Sequence, residues 1–460
     1  MARRAFRLIL AGCAAVIPLL TAASALGAEG WKAGTARVAI TPKQPMWMAG
    51  YGARNHPSEG VEHDLWAKAL ILESPAGVRY SLVTLDVCGI GRDLSVKVRD
   101  ELKKRHGLTR DRVVIACSHT HCGPVLGSNL ITMYPLDQAQ RERVERYAEF
   151  AYESMVGVVG QAIQQLAPAD VSWQTGRADF AVNRRENNQA KVEELRAKLQ
   201  LKGPVDHDVP VLCVKGPAGK PLAIVFGYAC HCTVLPYYKF CGDYAGFAQI
   251  ALEKTFPGAQ AMFVAGCGAD QNPLPRGTVE HARRYGSELA QSVERVLAGP
   301  LNPVDPASIS SAYEEISLPL GVLPSREQIE KEAQSKDLPL ANRAKKLLKR
   351  IDEEGSLART YPYPVQAWKL GGLTWVFLGG EVVVDYSLRL KRNLGSSHTW
   401  VSSYCNDVCA YIPSLRVLKE GGYEGATSMV YYGLPAPWGP TVEEDIVDAA
   451  GRLTGSLGPR

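Results

Sequence analysis

Residues 113–124 read VVIACSHTHCGP, and the two halves of that stretch carry different information. Val113–Cys117 is a run of β-branched and apolar residues, the pattern of a buried strand. Two histidines, His119 and His121, follow at once and lie two positions apart. In extended backbone, residues i and i+2 point to the same side. Strand geometry continued through this segment therefore directs both imidazoles into one site at the strand's carboxyl end. Two neutral imidazoles presented together suit Zn²⁺, or one holds a metal while the other handles protons. The alternative is a pair of loop histidines that only satisfy hydrogen bonds.

Outward from this stretch, strand and helix patterns alternate. Strands are expected over 34–41, 66–72 and 79–86, and a charged amphipathic helix over 93–106. A long helix is expected over 141–166 and a strand over 171–176. Residues 210–215 and 223–229 read as a strand pair around a glycine turn at 216–219. Helices over 246–256 and 278–297 flank a short strand at 262–265. Strand character returns at 375–378 and 400–403. Two charged helical stretches, 189–201 and 325–354, read as peripheral solvated faces; Ser325 is the N-cap of the second, and Asp337-Leu338-Pro339 interrupts it. Interleaving of this kind predicts an α/β fold, a layered mixed-sheet domain with helices at its periphery. No internal repeat or low-complexity linker divides it.

The chain has 460 residues, of which 46% are hydrophobic and 22% charged, a globular balance. Three of its positive charges, Arg3, Arg4 and Arg7, precede an apolar stretch over 8–23, with small residues suited to cleavage after Ala25 or Ala28. This predicts a signal peptide over 1–28 and an exported mature protein, periplasmic or extracellular. Taking those three arginines from the formal charge of +5 leaves +2. That leaves no basic excess to favour nucleic acid or an anionic membrane, and no later stretch suits a transmembrane helix. Ten cysteines remain beyond the leader. Most read as small apolar filler around a packed site; Cys405 and Cys409 are the pair best placed for a disulfide.

Further chemistry-bearing residues lie at other strand ends. His231 sits in ACHCT at 229–233, and Glu381 follows LGG at 378–380. A carboxylate exposed by two glycines fits a His/His/Glu metal site, or it is an acid before a helix N-terminus. Asp86 and Asp243 read either as turn aspartates or as carboxylates that orient an imidazole. The segment 266–273, GCGADQNP, offers main-chain N–H groups to an anion or is a plain loop. The sequence contains no P-loop ending, GxSxG elbow, HExxH helix or GxGxxG after a strand.

Taken in order, these blocks resemble the neutral/alkaline non-lysosomal ceramidase family. GTARVAITP at 34–42, MAGY at 48–51 and SHTHCGP at 118–124 match, with Cys122 where serine is usual. So do the second histidine block, the GD turn at 242–243, Asn183-Arg184, the GE at 380–381, AYIP at 410–413 and GYE at 422–424. The resemblance implies the fold of that family's catalytic domain, over 29–460, without the C-terminal immunoglobulin-like domain. It implies Zn²⁺ held by His119, His231, Glu381 and Tyr411, with His121 facing the substrate, Arg184 nearby and Asp243 supporting the site. The family's serine, in a GDVSPN-like turn, is replaced by Asn272. Asparagine cannot form an alkoxide nucleophile, so an acyl-enzyme route is not expected. The implied activity is cleavage of an N-acyl amide, a small-molecule or lipid-like substrate, by metal-activated water. Two other readings stand beside it: the same zinc centre acting on a carbohydrate or other polar envelope compound, and a non-catalytic periplasmic binding protein.

Overall fold

Apolar residues in the central strands alternate between two different cores, and this alternation sets the layers. The structure is a computed structural model that describes Met1 and residues 30–458; the expected leader lies outside the described residues. Its larger sheet contains β1 (Trp31–Ala39), β2 (Trp66–Glu73), β3 (Arg79–Leu85), β4 (Val113–Cys117), β5 (Ala167–Arg177), β6 (Asp208–Lys215), β7 (Pro221–Tyr228) and β8 (Gln260–Ala265). The order is β8-β7-β6-β5-β1-β2-β3-β4, with Asn302–Pro303 added beside β5. The β3–β4 and β7–β8 pairs are parallel and the rest antiparallel. A second sheet is formed by β9 (Ile309–Pro319), β10 (Thr360–Leu370), β11 (Leu373–Leu378) and β12 (Thr399–Ser402), with only β11–β12 parallel.

Within β4, Val113, Ile115 and Cys117 belong to one core while Val114 and Ala116 belong to another. In β11, Trp375 and Phe377 share that second core, and Val376 and Leu378 face a third. Four layers follow. Helices Arg92–His106, Gln138–Gln164, Asp243–Thr255 and Val279–Ala298 cover the outer face of the large sheet. The two sheets pack face to face, and helices Val384–Leu394 and Val442–Ser456 cover the small sheet. Strands buried on both faces read as continuous apolar runs, as VVIAC does. The layered mixed-sheet α/β expectation therefore holds.

Between the sheets, Trp375 stacks on Trp400 at 3.8 Å between centroids. Gly227 of β7 makes room for this pair, since a Cβ there would lie 2.9 Å from Trp400. The elements not anticipated include the β9–β10 pair and the Val442–Ser456 helix. In the antiparallel β9–β10 pair, whose strands are separated by the two peripheral helices, β10 was obscured by Pro362 and Pro364, which usually argue against a strand. The Val442–Ser456 helix closes the small sheet. The 189–201 helix shrinks to a single short turn and Val192–Ala197, and the 325–354 helix splits into Arg326–Glu332 and Leu338–Glu354 around the anticipated break. Ser325 caps the first with a full capping box. The expected Cys405–Cys409 disulfide is not present: all ten cysteines among the described residues are buried free thiols. No helix among the described residues is long and apolar enough to cross a membrane.

The loop after β12 stitches the sheets together at the site end. Asn406 accepts from Ile115 N at 3.0 Å and donates to Gln366 at 2.9 Å. Beside it, Asp407 accepts from the Tyr361 hydroxyl at 2.7 Å, while its Oδ1 has no partner. Burial lifts this carboxyl from 3.8 to about 7. The native state thus holds the proton to higher pH than the unfolded chain, so this group's contribution is intact below about 4 and is lost as pH rises to about 7. Asp407→Asn should remove that slope, worth roughly 1.4 kcal/mol per pH unit across the window. Urea unfolding at pH 5 and pH 8 checks it: the variant gains on the wild type at the higher pH.

Candidate metal centre and its mouth

Three strand ends converge at this site. β4 ends at Cys117, and His119 then adopts a left-handed conformation, φ 58°. Strand geometry therefore does not continue through His121, contrary to the simple i, i+2 expectation. The turn still brings the rings together, with Nε2 of His121 3.1 Å from Nε2 of His119. The main-chain N–H of His121 donates to the carbonyl of Cys232, tying this loop to the one after β7 that carries His231. After β11, Gly380 turns with φ 69°, where a Cβ would meet Ile412 at 2.6 Å. Glu381 then pairs in parallel register with Tyr411. That pairing sets the carboxylate beside the phenol.

The ring nitrogens identify what the centre can hold. His119 Nδ1 lies 2.6 Å from the carbonyl of Cys88, and His231 Nδ1 lies 2.6 Å from that of Gly268. A carbonyl accepts only from N–H, so each Nδ1 carries hydrogen and each Nε2 is the available lone pair. Both Nε2 atoms face Glu381 Oε2, at 3.0 and 3.1 Å. Oε2 itself takes no hydrogen bond, while Oε1 accepts from the Tyr432 hydroxyl. His119, His231 and Glu381 are 1%, 1% and 2% exposed. Their ligand atoms lie within 4.8 Å of one another. Lone pairs gathered in a dry interior repel unless a cation sits among them. Two imidazole nitrogens and a carboxylate oxygen form a donor set that fits zinc or a similar divalent ion. Cys88, His119 and His121 form an overlapping group.

The electrostatics agree. Burial alone would depress His119, yet Cys88 and Glu381 beside it hold it well above the usual imidazole value. Burial alone would raise Glu381, yet the two imidazoles hold it well below the carboxylate range. Burial and then the Arg184 charge push His231 down to about 4. Burial and two neighbouring imidazoles keep His121 neutral, well below its usual value.

His119, His121, His231, Glu381, Tyr411, Arg184 and Asn272 come together. The Tyr411 hydroxyl lies 3.2 Å from His231 Nε2 and accepts from Arg184 Nη2 at 3.2 Å. Arg184 also donates to Asn272 Oδ1 at 3.3 Å and to Glu424 at 2.8 Å. Asp86 and Asp243 do not orient an imidazole. Asp86 accepts from Trp66 N and Gln249, and Asp243 caps Leu235 and Tyr244 main-chain N–H groups. The 266–273 segment contributes a carbonyl, that of Gly268, where N–H groups were expected. Sequence reasoning missed Tyr432, the carbonyl of Cys88, and Tyr404, which stacks on His119 at 4.3 Å, and it gave no role to the Glu424 of the GYE block. The first lies in a Tyr-Tyr pair with no motif around it, and a main-chain carbonyl has no residue-type signal.

Arg184, which reaches the Tyr411 hydroxyl of the centre, and Asn272 also line a cavity of about 590 Å³, together with Arg185, Glu186, Arg276, Glu420, Tyr423 and Glu424. A second cavity of about 650 Å³, between Lys43 and Phe150, contains none of the site residues.

The family model described as "Neutral/alkaline non-lysosomal ceramidase, N-terminal" matches residues 31–272. Neutral ceramidase A of Dictyostelium discoideum is 25% identical over 249 residues, half of this chain and 34% of that protein. Neutral ceramidase 2 of Arabidopsis thaliana is 35% identical over 85 residues, 18% of this chain and 11% of that protein. The matches thus span about a third or less of these curated relatives. The fold is that of the neutral ceramidase from Pseudomonas aeruginosa, with a TM-score of 0.72 at 18% identity over 93% of this chain and 74% of that one. A ceramidase complexed with C2 superposes with a TM-score of 0.71 at 16% identity, over 93% and 75%.

Gly50 makes a testable contact beneath His121. Its φ is +100°, and an added Cβ would lie 2.3 Å from the ring's Cγ. Gly50→Ala should cost about 1–3 kcal/mol of stability. Part of that cost, about 1 kcal/mol, should disappear in a His121→Ala background, as a denaturant double-mutant cycle would measure.

Proposed function

Because the chain belongs to the neutral/alkaline non-lysosomal ceramidase family, we propose that it is a hydrolase of ceramide-like amides built on a zinc site. One observation carries this reading: both histidines spend Nδ1–H on main-chain carbonyls and turn bare Nε2 atoms onto the unpartnered Oε2 of Glu381. His119, His231 and Glu381 would hold the metal, with the Tyr411 hydroxyl completing the set. Bound zinc supplies Lewis acidity and a water made acidic enough to act near neutral pH.

The chain's own groups do the rest. His121, kept neutral, is the proton-handling imidazole, and its Nε2 is the atom turned into the centre. Arg184 and the Tyr411 hydroxyl supply a cation and a donor for negative charge developing on the substrate's carbonyl oxygen. Asn272 positions Arg184 through its Oδ1 and is no nucleophile, so water adds to the acyl carbon directly. Burial of the centre strengthens each of these interactions. We further propose that residues 1–28 are a leader that exports the protein, and that 29–460 work as one catalytic domain.

Metal analysis by mass spectrometry tests the reading. The wild type should carry about one zinc per chain, and Glu381→Ala and His231→Ala should lose it. A chelator should abolish hydrolysis of a short-chain ceramide, and zinc should restore it. A protein free of metal whose amide turnover ignores chelator would overturn the proposal.

A further inference from the structure

No aliphatic side chain lines the cavity beside Arg184 and Asn272, an unusual surrounding for a neutral lipid. Its charges are unequal in their commitments. Glu424 accepts from Arg184 at 2.8 Å and from Arg185 at 2.6 Å, and Arg185 also reaches Glu420 at 2.8 Å. Those two guanidinium groups are neutralised where they stand. Arg276 is different. Among the described residues its one hydrogen bond is from Nη1 to the carbonyl of Thr233, at 3.3 Å, and it forms no ion pair. A guanidinium offers five N–H donors in a fork that matches carboxylate and phosphate oxygens. Most of that fork is unspent.

Its position relates this cation to the chemistry. The carbonyl of Thr233 also accepts from the Tyr51 hydroxyl at 3.0 Å, and the Tyr51 ring meets His121 edge-on at 4.8 Å. Across the cavity, Asn272 accepts from Arg184, which reaches the Tyr411 hydroxyl. An anion on Arg276 would therefore sit within a small molecule's length of both His121 and Tyr411.

Resting on the amide-hydrolase reading, we propose that Arg276 is a specificity-determining residue. It binds an anionic group on the amine side of the substrate, so the preferred substrates are N-acyl amides carrying a carboxylate or phosphate a few bonds from the scissile bond. Hydrolysis then adds water's oxygen to the acyl carbon, breaks the C–N bond and delivers the proton to the departing amine. The products are a fatty acid and an anionic amine such as an amino acid.

The test compares N-octanoylglycine, N-octanoylethanolamine and its O-phosphate, equal in acyl chain and differing in charge. Calorimetry on the metal-loaded full chain should show one or both anionic amides binding about tenfold or more tighter than the neutral one, a gap typical of one charge-assisted pair. The carboxylate and phosphate arms identify which anion is read. In Arg276→Ala the ratio should collapse towards one, and in Arg276→Lys it should partly return. Arg276→Gln, which keeps a donor for Thr233, serves if the alanine variant folds poorly. Equal affinity for charged and neutral amides in the wild type, or a preference untouched in Arg276→Ala and Arg276→Gln, overturns the proposal. Amine release is followed separately. Tight anionic binding without turnover would count against the hydrolase reading and leave the role of Arg276 standing.

Discussion

Glu381 is an ionised carboxylate enclosed by two imidazoles and shut away from water, and much of the site is arranged around that constraint. An isolated buried carboxylate is costly. Here its Oε1 is satisfied by Tyr432, and its Oε2 faces two nitrogens whose orientation is fixed from behind by main-chain carbonyls. The carbonyls matter more than any neighbouring side chain. They choose the tautomer of each ring and so decide that lone pairs, not N–H groups, meet at the centre.

The four-layer fold makes this possible. β4, β7 and β11 deliver their carboxyl ends to one edge, and the loops that leave those ends hydrogen-bond to one another before they reach solvent. Cys232 accepts from His121, Gln271 accepts from His231, and Asn406 and Asp407 bridge from the small sheet to β4 and to the glycine turn before Glu381. A shift of either sheet would move one ligand away from the others. Packing of Trp375 and Trp400 against Gly227 resists that shift, since close-packed interiors have discrete arrangements and little slack.

The mouth follows a different logic. Its residues are charged and partly hydrated, and most of their energy is spent on one another. Exposed ion pairs contribute little to stability, but a network that neutralises Arg184 and Arg185 holds them in fixed poses. Arg276 stands outside that network. Among the cations lining this cavity, it is the one with donors to spare for a further anion.

The apolar runs, the histidine and glutamate blocks and the glycines between them were legible in the chain alone, because each depends on local pattern: period-two burial, a residue type with few chemical uses, a backbone angle suited to glycine. The family likeness rested on the same blocks in order. Other features required the tertiary structure. The left-handed turn at His119 broke the local rule for ring placement, and only contact with the Cys88 carbonyl shows where the ring points. Tyr432 carries no motif, and only its contact with Glu381 shows its part in the site. β10 tolerates Pro362 and Pro364 because its pairing with β11 begins only at Val365, which leaves that part of the strand with one neighbour. Cys405 and Cys409 share spacing with disulfides but lie as buried free thiols. Residue types and strand patterns are local properties and can be read from sequence; tautomers, pairings and unspent donors are properties of neighbours, which only the folded chain decides.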